Sequence, residues 1–134
     1  MQADQGRQEF TYSFFAFEGP LAASGVVRAA YELNCPVTTA AGDGGEGSIF
    51  RTSAPGIIID TVKPAEDGSG DIIVRMYESL RARTRCRLAT ALPVASASQC
   101  NMLEEPQRPL TVSGGAMKLD FRAFEIKTLR LKLR

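Results

Sequence analysis

The pattern of apolar and polar positions changes twice along the chain. Residues 9–17 read Glu-Phe-Thr-Tyr-Ser-Phe-Phe-Ala-Phe, which predicts an aromatic strand with Phe10, Tyr12 and Phe14 on one side. Gly19-Pro20 breaks it. Over residues 21–34, Val26, Val27, Ala30, Tyr31 and Leu33 recur at roughly helical spacing among alanines, predicting a short helix. Pro20 suits a first-turn position, while Gly25 weighs against one continuous helix. Cys35-Pro36 ends the helix, because the residue before a proline avoids the helical region. Residues 37–47 then offer almost nothing to bury and read as a Gly-rich linker. Gly42, Gly44, Gly45 and Gly47 lack the spacing of a dinucleotide-binding loop.

From residue 48 onward the period is two. Strands are predicted at 48–53 and 57–63, and the run Ile57-Ile58-Ile59 suggests cover on both faces. A turn rich in Gly, Asp and Ser occupies 64–70. Residues 72–79 alternate, with Ile72, Val74 and Met76 against Ile73, Arg75 and Tyr77. Residues 84–92 alternate again: Thr84, Cys86, Leu88, Thr90 and Leu92 share one side, and Arg83, Arg85 and Arg87 the solvent side. Residues 94–100 are small and read as an edge strand. Residues 110–112 and 117–121 bracket Ser113-Gly114-Gly115-Ala116, a hairpin signal. In 125–133, Ile126, Thr128, Arg130 and Lys132 alternate with Glu125, Lys127, Leu129, Leu131 and Leu133. Neither side is wholly apolar, so one face should be only partly buried. Seven or so short strands with regular turns predict a mainly β chain. The expected fold is an immunoglobulin-like antiparallel β-sandwich, preceded by the aromatic strand and the short helix.

Length and charge narrow the function. The 134 residues fit one domain with an appendage. Sixteen basic residues against fifteen acidic ones give a net charge of +1, so neither nucleic acid nor an anionic membrane is expected as partner. No apolar run approaches the ~20 residues of a membrane span. Cys35, Cys86 and Cys100 are widely spaced without a CxxC pair, which argues against a structural zinc site. Their odd number, without a signal peptide, favours a reducing compartment, with three free thiols in or near the core.

Candidate chemistry is sparse. The chain has no histidine, so neither Cys100 nor Ser24 nor Ser113 has an imidazole base to activate it. Glu104 and Glu105 are adjacent and on a strand would face opposite ways, while Glu66-Asp67 lies in a turn-like run. No catalytic, cofactor-binding or metal-binding residue is assigned.

Several phrases nonetheless carry a resemblance. Asp4-x-Gly6-x-x-Glu9-Phe10-Thr11-Tyr12, Ser24-Gly25-Val26-Val27 and Glu32-Leu33-Asn34-Cys35-Pro36 occupy the first part. Val62-Lys63-x-Ala65-Glu66, Arg75-x-Tyr77-Glu78, Asn101-x-Leu103-Glu104-Glu105 and Phe124-Glu125-Ile126-Lys127-Thr128 follow in order. Together they resemble the C-terminal β-domain region of the α-mannosidases of glycoside hydrolase family 38, with a balance of motifs closer to the cytosolic, bacterial-type branch. Gln8 stands where a histidine is usual in that family, and Ala16 where a proline is common.

The resemblance implies a parent enzyme, a retaining glycosidase with zinc in its N-terminal catalytic domain, acting on terminal α-mannosidic bonds of oligosaccharides in the cytoplasm. Residues 1–36 would end the preceding large β-domain, 37–47 would be the linker and 48–134 the C-terminal sandwich. The fragment alone would be inactive and its cofactor none. Its partners would be the catalytic and central domains of the same polypeptide, with a homo-oligomer left open. Glu104, Glu105, Phe10, Tyr12 and Phe14 are the candidates for interdomain docking. For the loop holding Glu104 and Glu105 the alternative is a self-contained turn whose acids cap amides or pair with arginines. Two other readings stay open, a carbohydrate-binding module and a free-standing interaction domain. Against the former, the chain has no tryptophan, and Tyr12, Tyr31 and Tyr77 fall in three separate elements.

Overall fold

The computed structural model of the chain describes residues 5–39, 41–42 and 47–134. Two compact units divide it, Met1–Pro36 and Val37–Arg134. In the first, a 3-10 turn at Leu21–Ala23 is followed by helix α1, Val26–Asn34. Gly25 separates them. Its φ of 71° is in the left-handed region, where a residue without a Cβ is least strained, so the predicted helix is split there. The aromatic run at 9–17 is not a strand. A single extended segment has no neighbour to take its backbone N–H and C=O groups, and high β-propensity does not supply one. The predicted linker falls partly outside the described residues.

The second unit contains, among the described residues, β1 (Phe50–Thr52), β2 (Ile57–Pro64), β3 (Ile72–Glu78), β4 (Thr84–Thr90) and β5 (Val94–Cys100). These are followed by β6 (Pro106–Leu110), β7 (Val112–Ser113), β8 (Ala116–Phe121) and β9 (Ile126–Leu133). They form a four-stranded sheet in the order β1-β4-β8-β7 and a five-stranded sheet in the order β2-β3-β9-β5-β6. All pairings are antiparallel. The inner faces meet in one core. Val74, Met76, Leu129 and Leu131 come from the larger sheet, and Cys86, Leu88, Met117, Leu119 and Phe121 from the smaller. Burial of each large side chain there contributes about 1.5–3 kcal/mol. The mainly β sandwich predicted from the period-two pattern is the fold observed.

Several local expectations need correction. β5 is not an edge strand but lies between β9 and β6. The edge is β6, which the sequence hides because Pro106 and Pro109 lower its strand propensity; prolines are tolerated where no further strand needs their N–H. β2 is the opposite edge, so of its three isoleucines only Ile57 is fully buried. β9 is central and more buried than its mixed sequence suggests, with Lys127, Thr128, Leu129 and Leu131 all buried. All three cysteines are free, but Cys35 is exposed, and only Cys86 and Cys100 are buried. The hairpin turns at Gly114 and Gly115, with φ of 55° and 68°, and Ser113 pairs with Ala116. Two consecutive left-handed residues fit a tight hairpin turn. Thr111, between β6 and β7, is where the chain crosses from one sheet to the other.

Candidate functional site

The loop between β5 and β6 is built on Asn101. Its Oδ1 accepts hydrogen bonds from the amides of Leu103 and Glu105, both at 3.0 Å, and its Nδ2 donates to Glu105 Oε2 at 2.7 Å. This side-chain-to-backbone turn is typical of Asn. It sets Glu104 at φ 66°, a left-handed value that costs a non-glycine residue about 1–2 kcal/mol. Glu104 is only 7% exposed, and its carboxylate reaches the start of the β2–β3 turn. Oε1 lies 2.6 Å from Lys63 Nζ, and Oε2 accepts the Glu66 amide at 2.9 Å. Lys63 also bonds the Glu66 carboxylate. The Lys63 hydrogen bond, then the Glu66 amide, hold Glu104 below its ordinary pKa, and the same carboxylates raise Lys63. Arg75 ties the loop to the sheet: its Nε donates to Thr128 Oγ1 at 3.3 Å and its Nη2 to the Met102 carbonyl at 3.4 Å.

A second buried carboxylate stands at the end of β3. Glu78 is 1% exposed. Its Oε1 accepts the Leu80 amide at 2.8 Å, and its Oε2 accepts the Phe124 amide at 3.0 Å from the β8–β9 loop. Burial pushes its pKa up. The amides of Phe124, Leu80, Ala82 and Arg81 outweigh that, so the net shift is downward. Arg81 and Phe124 have φ of 58° and 57°, left-handed values within the two loops that meet here. Beside them, Glu125 Oε2 accepts the Arg122 amide at 2.8 Å, and Oε1 lies 3.1 Å from Lys127 Nζ. That buried ammonium sits 5.4 Å from the centroid of the Phe121 ring, a favourable cation–π placement. Burial raises the Glu125 pKa, but the Arg122 amide and Lys127 lower it further.

A third cluster fixes the β2–β3 turn. Arg130 Nε contacts Asp71 Oδ2 at 2.6 Å, and its Nη2 contacts Asp67 Oδ2 at 2.7 Å and Ser69 Oγ at 2.9 Å. Ser69, then Arg130, draw Asp67 down to about 2.

The four phrases of the second unit therefore meet in pairs. Val62-Lys63-x-Ala65-Glu66 meets Asn101-x-Leu103-Glu104-Glu105, and Arg75-x-Tyr77-Glu78 meets Phe124-Glu125-Ile126-Lys127-Thr128. In each junction a carboxylate accepts one amide from a distant loop. A glycosidase acid needs a raised pKa to donate a proton near neutrality. Glu78, Glu104 and Glu125 are all shifted the other way, as fixed anions. Among the described residues no three His, Cys, Asp or Glu side chains gather as metal ligands.

The docking candidates are divided between the two units, Phe10, Tyr12 and Phe14 in the first and Glu104 and Glu105 in the second. Glu104 is turned to Lys63 and the Glu66 amide at the β2–β3 turn, and Glu105 is exposed and bonded to Asn101. In the first unit Phe10, Tyr12 and Phe14 are 82%, 86% and 91% exposed, with the Phe10 and Tyr12 rings 6.3 Å apart. Sequence reasoning passed over Lys63 and Glu78 as functional residues, although both lie inside the quoted phrases. The available signal was that a charged residue recurred in each phrase.

The comparisons with known proteins bear on the same segment. Residues 56–129 match the model of the glycosyl hydrolases family 38 C-terminal beta sandwich domain, a span that runs from β2 into β9 and includes both carboxylate junctions. The chain belongs to glycoside hydrolase family 38. Among its relatives in that family, Alpha-mannosidase 2C1 of Mus musculus and of Homo sapiens are each 34% identical over 139 aligned residues, covering 98% of this chain. Alpha-mannosidase G of Dictyostelium discoideum is 31% identical and covers 95% of it. The chain spans only 13% of the length of each mammalian relative and 12% of the Dictyostelium one. No described helix is long and apolar enough to cross a membrane.

Proposed function

We propose that this family 38 chain is the noncatalytic C-terminal part of a cytoplasmic α-mannosidase, a zinc-dependent retaining enzyme that hydrolyses terminal α-mannosidic bonds of oligosaccharides. One observation carries the reading. The segment that matches the family model holds three buried or half-buried carboxylates, Glu78, Glu104 and Glu125, and each of them is engaged in holding loops together. Retention needs a nucleophilic carboxylate and an acid/base partner flanking the bond. Glu78, Glu104 and Glu125 are held by backbone amides or lysines, which supports both catalytic groups lying elsewhere in the parent. Zinc does not fit this part either: without histidine, and with no acidic or thiol cluster among the described residues, there is no ligand set for it.

In this reading residues 1–36 end the preceding large β-domain, 37–47 link it to the sandwich, and the sandwich supports the catalytic region. The exposure of Phe10, Tyr12 and Phe14 supports it, since an apolar segment of this kind calls for cover. Cover from the parent's other domains is one source and a second copy of the chain is another.

The test is made on the native protein. An antibody to this chain should pull down a polypeptide several times larger, carrying zinc and α-mannosidase activity. A product near 14.5 kDa without activity would overturn the proposal. Within the parent, Glu104→Ala with Glu105→Ala separates docking from turn formation. Lost activity with an unchanged melting temperature of the sandwich supports docking, and lowered stability alone supports the turn.

A further inference from the structure

The outer face of the four-stranded sheet takes no part in the carboxylate junctions. By strand alternation it carries Arg51, Arg85, Arg87, Lys118 and Asp120. Arg85 stands opposite Asp120 and pairs with it at 3.4 Å, which engages the one acid in that set. Arg87 stands directly opposite Lys118. Like charges at such positions, with Cβ atoms about 5 Å apart, are destabilising. Among the described residues neither side chain has a hydrogen-bond or ion-pair partner; the Arg87 backbone amide is held by Ser53 Oγ at 2.9 Å.

These two cations, together with the Asp120 carboxylate that Arg85 engages, line a groove of about 690 Å³ between the sheet face and β6. Arg108 lines its other wall. Gln99 Oε1 accepts from Arg108 Nε at 3.2 Å and Nη2 at 2.9 Å, which steadies the guanidinium and leaves its other N–H groups free to donate. Thr111 and Ser113 also line the groove, and their hydroxyls have no partner among the described residues. The volume is that of a small-molecule site.

We propose that this groove binds a phosphate monoester carried on a small polar molecule. Three cations and two hydroxyls can all donate to one doubly charged group with three acceptor oxygens, and guanidinium forks match phosphate geometry. Arg87, Arg108 and Lys118 line one groove, and the net charge of the chain is +1, which disfavours nucleic acid. A bound phosphate also relieves the Arg87–Lys118 repulsion, so occupancy and stability are linked. The inference does not rest on the mannosidase reading, and its test stands if that reading fails.

The full, isotope-labelled chain is titrated with inorganic phosphate and with glucose-6-phosphate, using glucose and matched sodium chloride as controls, while amide shifts and thermal stability are followed. Both phosphates should shift the amides of Ser113, Ala116 and Lys118 saturably and raise the melting temperature; the controls should not. Arg87→Gln with Lys118→Gln should weaken binding at least about tenfold and raise stability without ligand, whereas Arg51→Gln, on the same sheet face but outside the groove lining, should change affinity less than about twofold. If the double variant does not fold, Lys118→Met alone should weaken binding. Tighter binding of the hexose phosphate supports a site that also holds the sugar, and equal binding supports one for the phosphate alone. No saturation by about 10 mM, equal loss in the Arg51 variant, or a response only to a glutamate-rich peptide would overturn the proposal.

Discussion

Phe121 and Phe14 are the same side chain in strand-like sequence contexts, yet one is 1% and the other 91% exposed. Phe121 lies on β8, which pairs with β4 and β7 and faces the five-stranded sheet. Phe14 lies in a segment with no pairing neighbour among the described residues. The difference between the two units is therefore not hydrophobicity but the presence of a second layer. A sheet face becomes core when another face covers it, and an aromatic run without one stays a surface. In the sandwich the loops are further tied by Glu78 and Glu104, while the first unit's ion pairs, Arg7 with Glu9 and Arg28 with Glu32, join exposed side chains that contribute little.

The largest expected effect breaks this comparison at its two phenylalanines. Phe121→Ala should destabilise the sandwich by about 4 kcal/mol through the cavity it leaves. Phe14→Ala should stay within about 0.5 kcal/mol in the isolated chain. Urea unfolding of both variants, followed by circular dichroism, decides the matter. A comparable loss at Phe14 would mean that the aromatic run is covered.

Next comes Glu78→Ala. It leaves the Leu80 and Phe124 amides without their acceptor, at a cost of about 3 kcal/mol. Hydrogen exchange should then speed up in both the β3–β4 and β8–β9 loops, since one carboxylate serves both. Acceleration of one loop alone would mean that the junction does not couple them.

The acid sensitivity of the sandwich follows from the same groups. Glu78, Glu104 and Glu125 have folded-state pKa values below the ordinary 4.5, and Asp67 falls from 3.8 to about 2. Just below the ordinary values the unfolded chain binds more protons than the folded one, so stability rises with pH. Their contribution is complete above about pH 5 and is lost as pH falls through the folded values. Thermal melts between neutrality and pH about 3 should show this decline, and Glu78→Gln should flatten it. An unchanged slope in that variant would remove Glu78 from the account. Lys63, raised by Glu104 and Glu66, adds stability that is present below its ordinary 10.5 and lost as pH rises through its folded value.

The smallest effect is local. Gly115→Ala should cost about 1 kcal/mol. Its φ is 68°, and an added Cβ would meet the Thr90 carbonyl at 3.1 Å. Gly114→Ala has the same strain at φ 55° but open space, so it should cost less. Melting temperatures of the pair check the order.

Much of the fold was legible before any coordinates. Alternation in residues 84–92 placed Cys86 and Leu88 inward and the arginines outward, as observed, because period two maps directly onto the two faces of a strand. Strand order was not legible. β5 looked like an edge from its small residues, and β6 with its two prolines drew no strand prediction, because neighbours in a sheet are chosen by long-range pairing. At the candidate site the phrases were visible but their meetings were not. Glu104 reaches Glu66 across 38 positions, and Glu78 reaches Phe124 across 46.

By itself the sequence determined the two-layer β architecture, the break at Gly25 and the tight turn at Gly114-Gly115, since periodicity and left-handed φ are local properties of a chain. It also carried the family phrases. Only the tertiary structure decided that those phrases pair into buried carboxylate junctions, that β9 is the centre of its sheet, and that Arg87 faces Lys118 across a groove. A charged side chain has no intrinsic preference for anchor, catalyst or surface. Its role is set by which distant amides, cations and water molecules the fold places within a few ångströms of it.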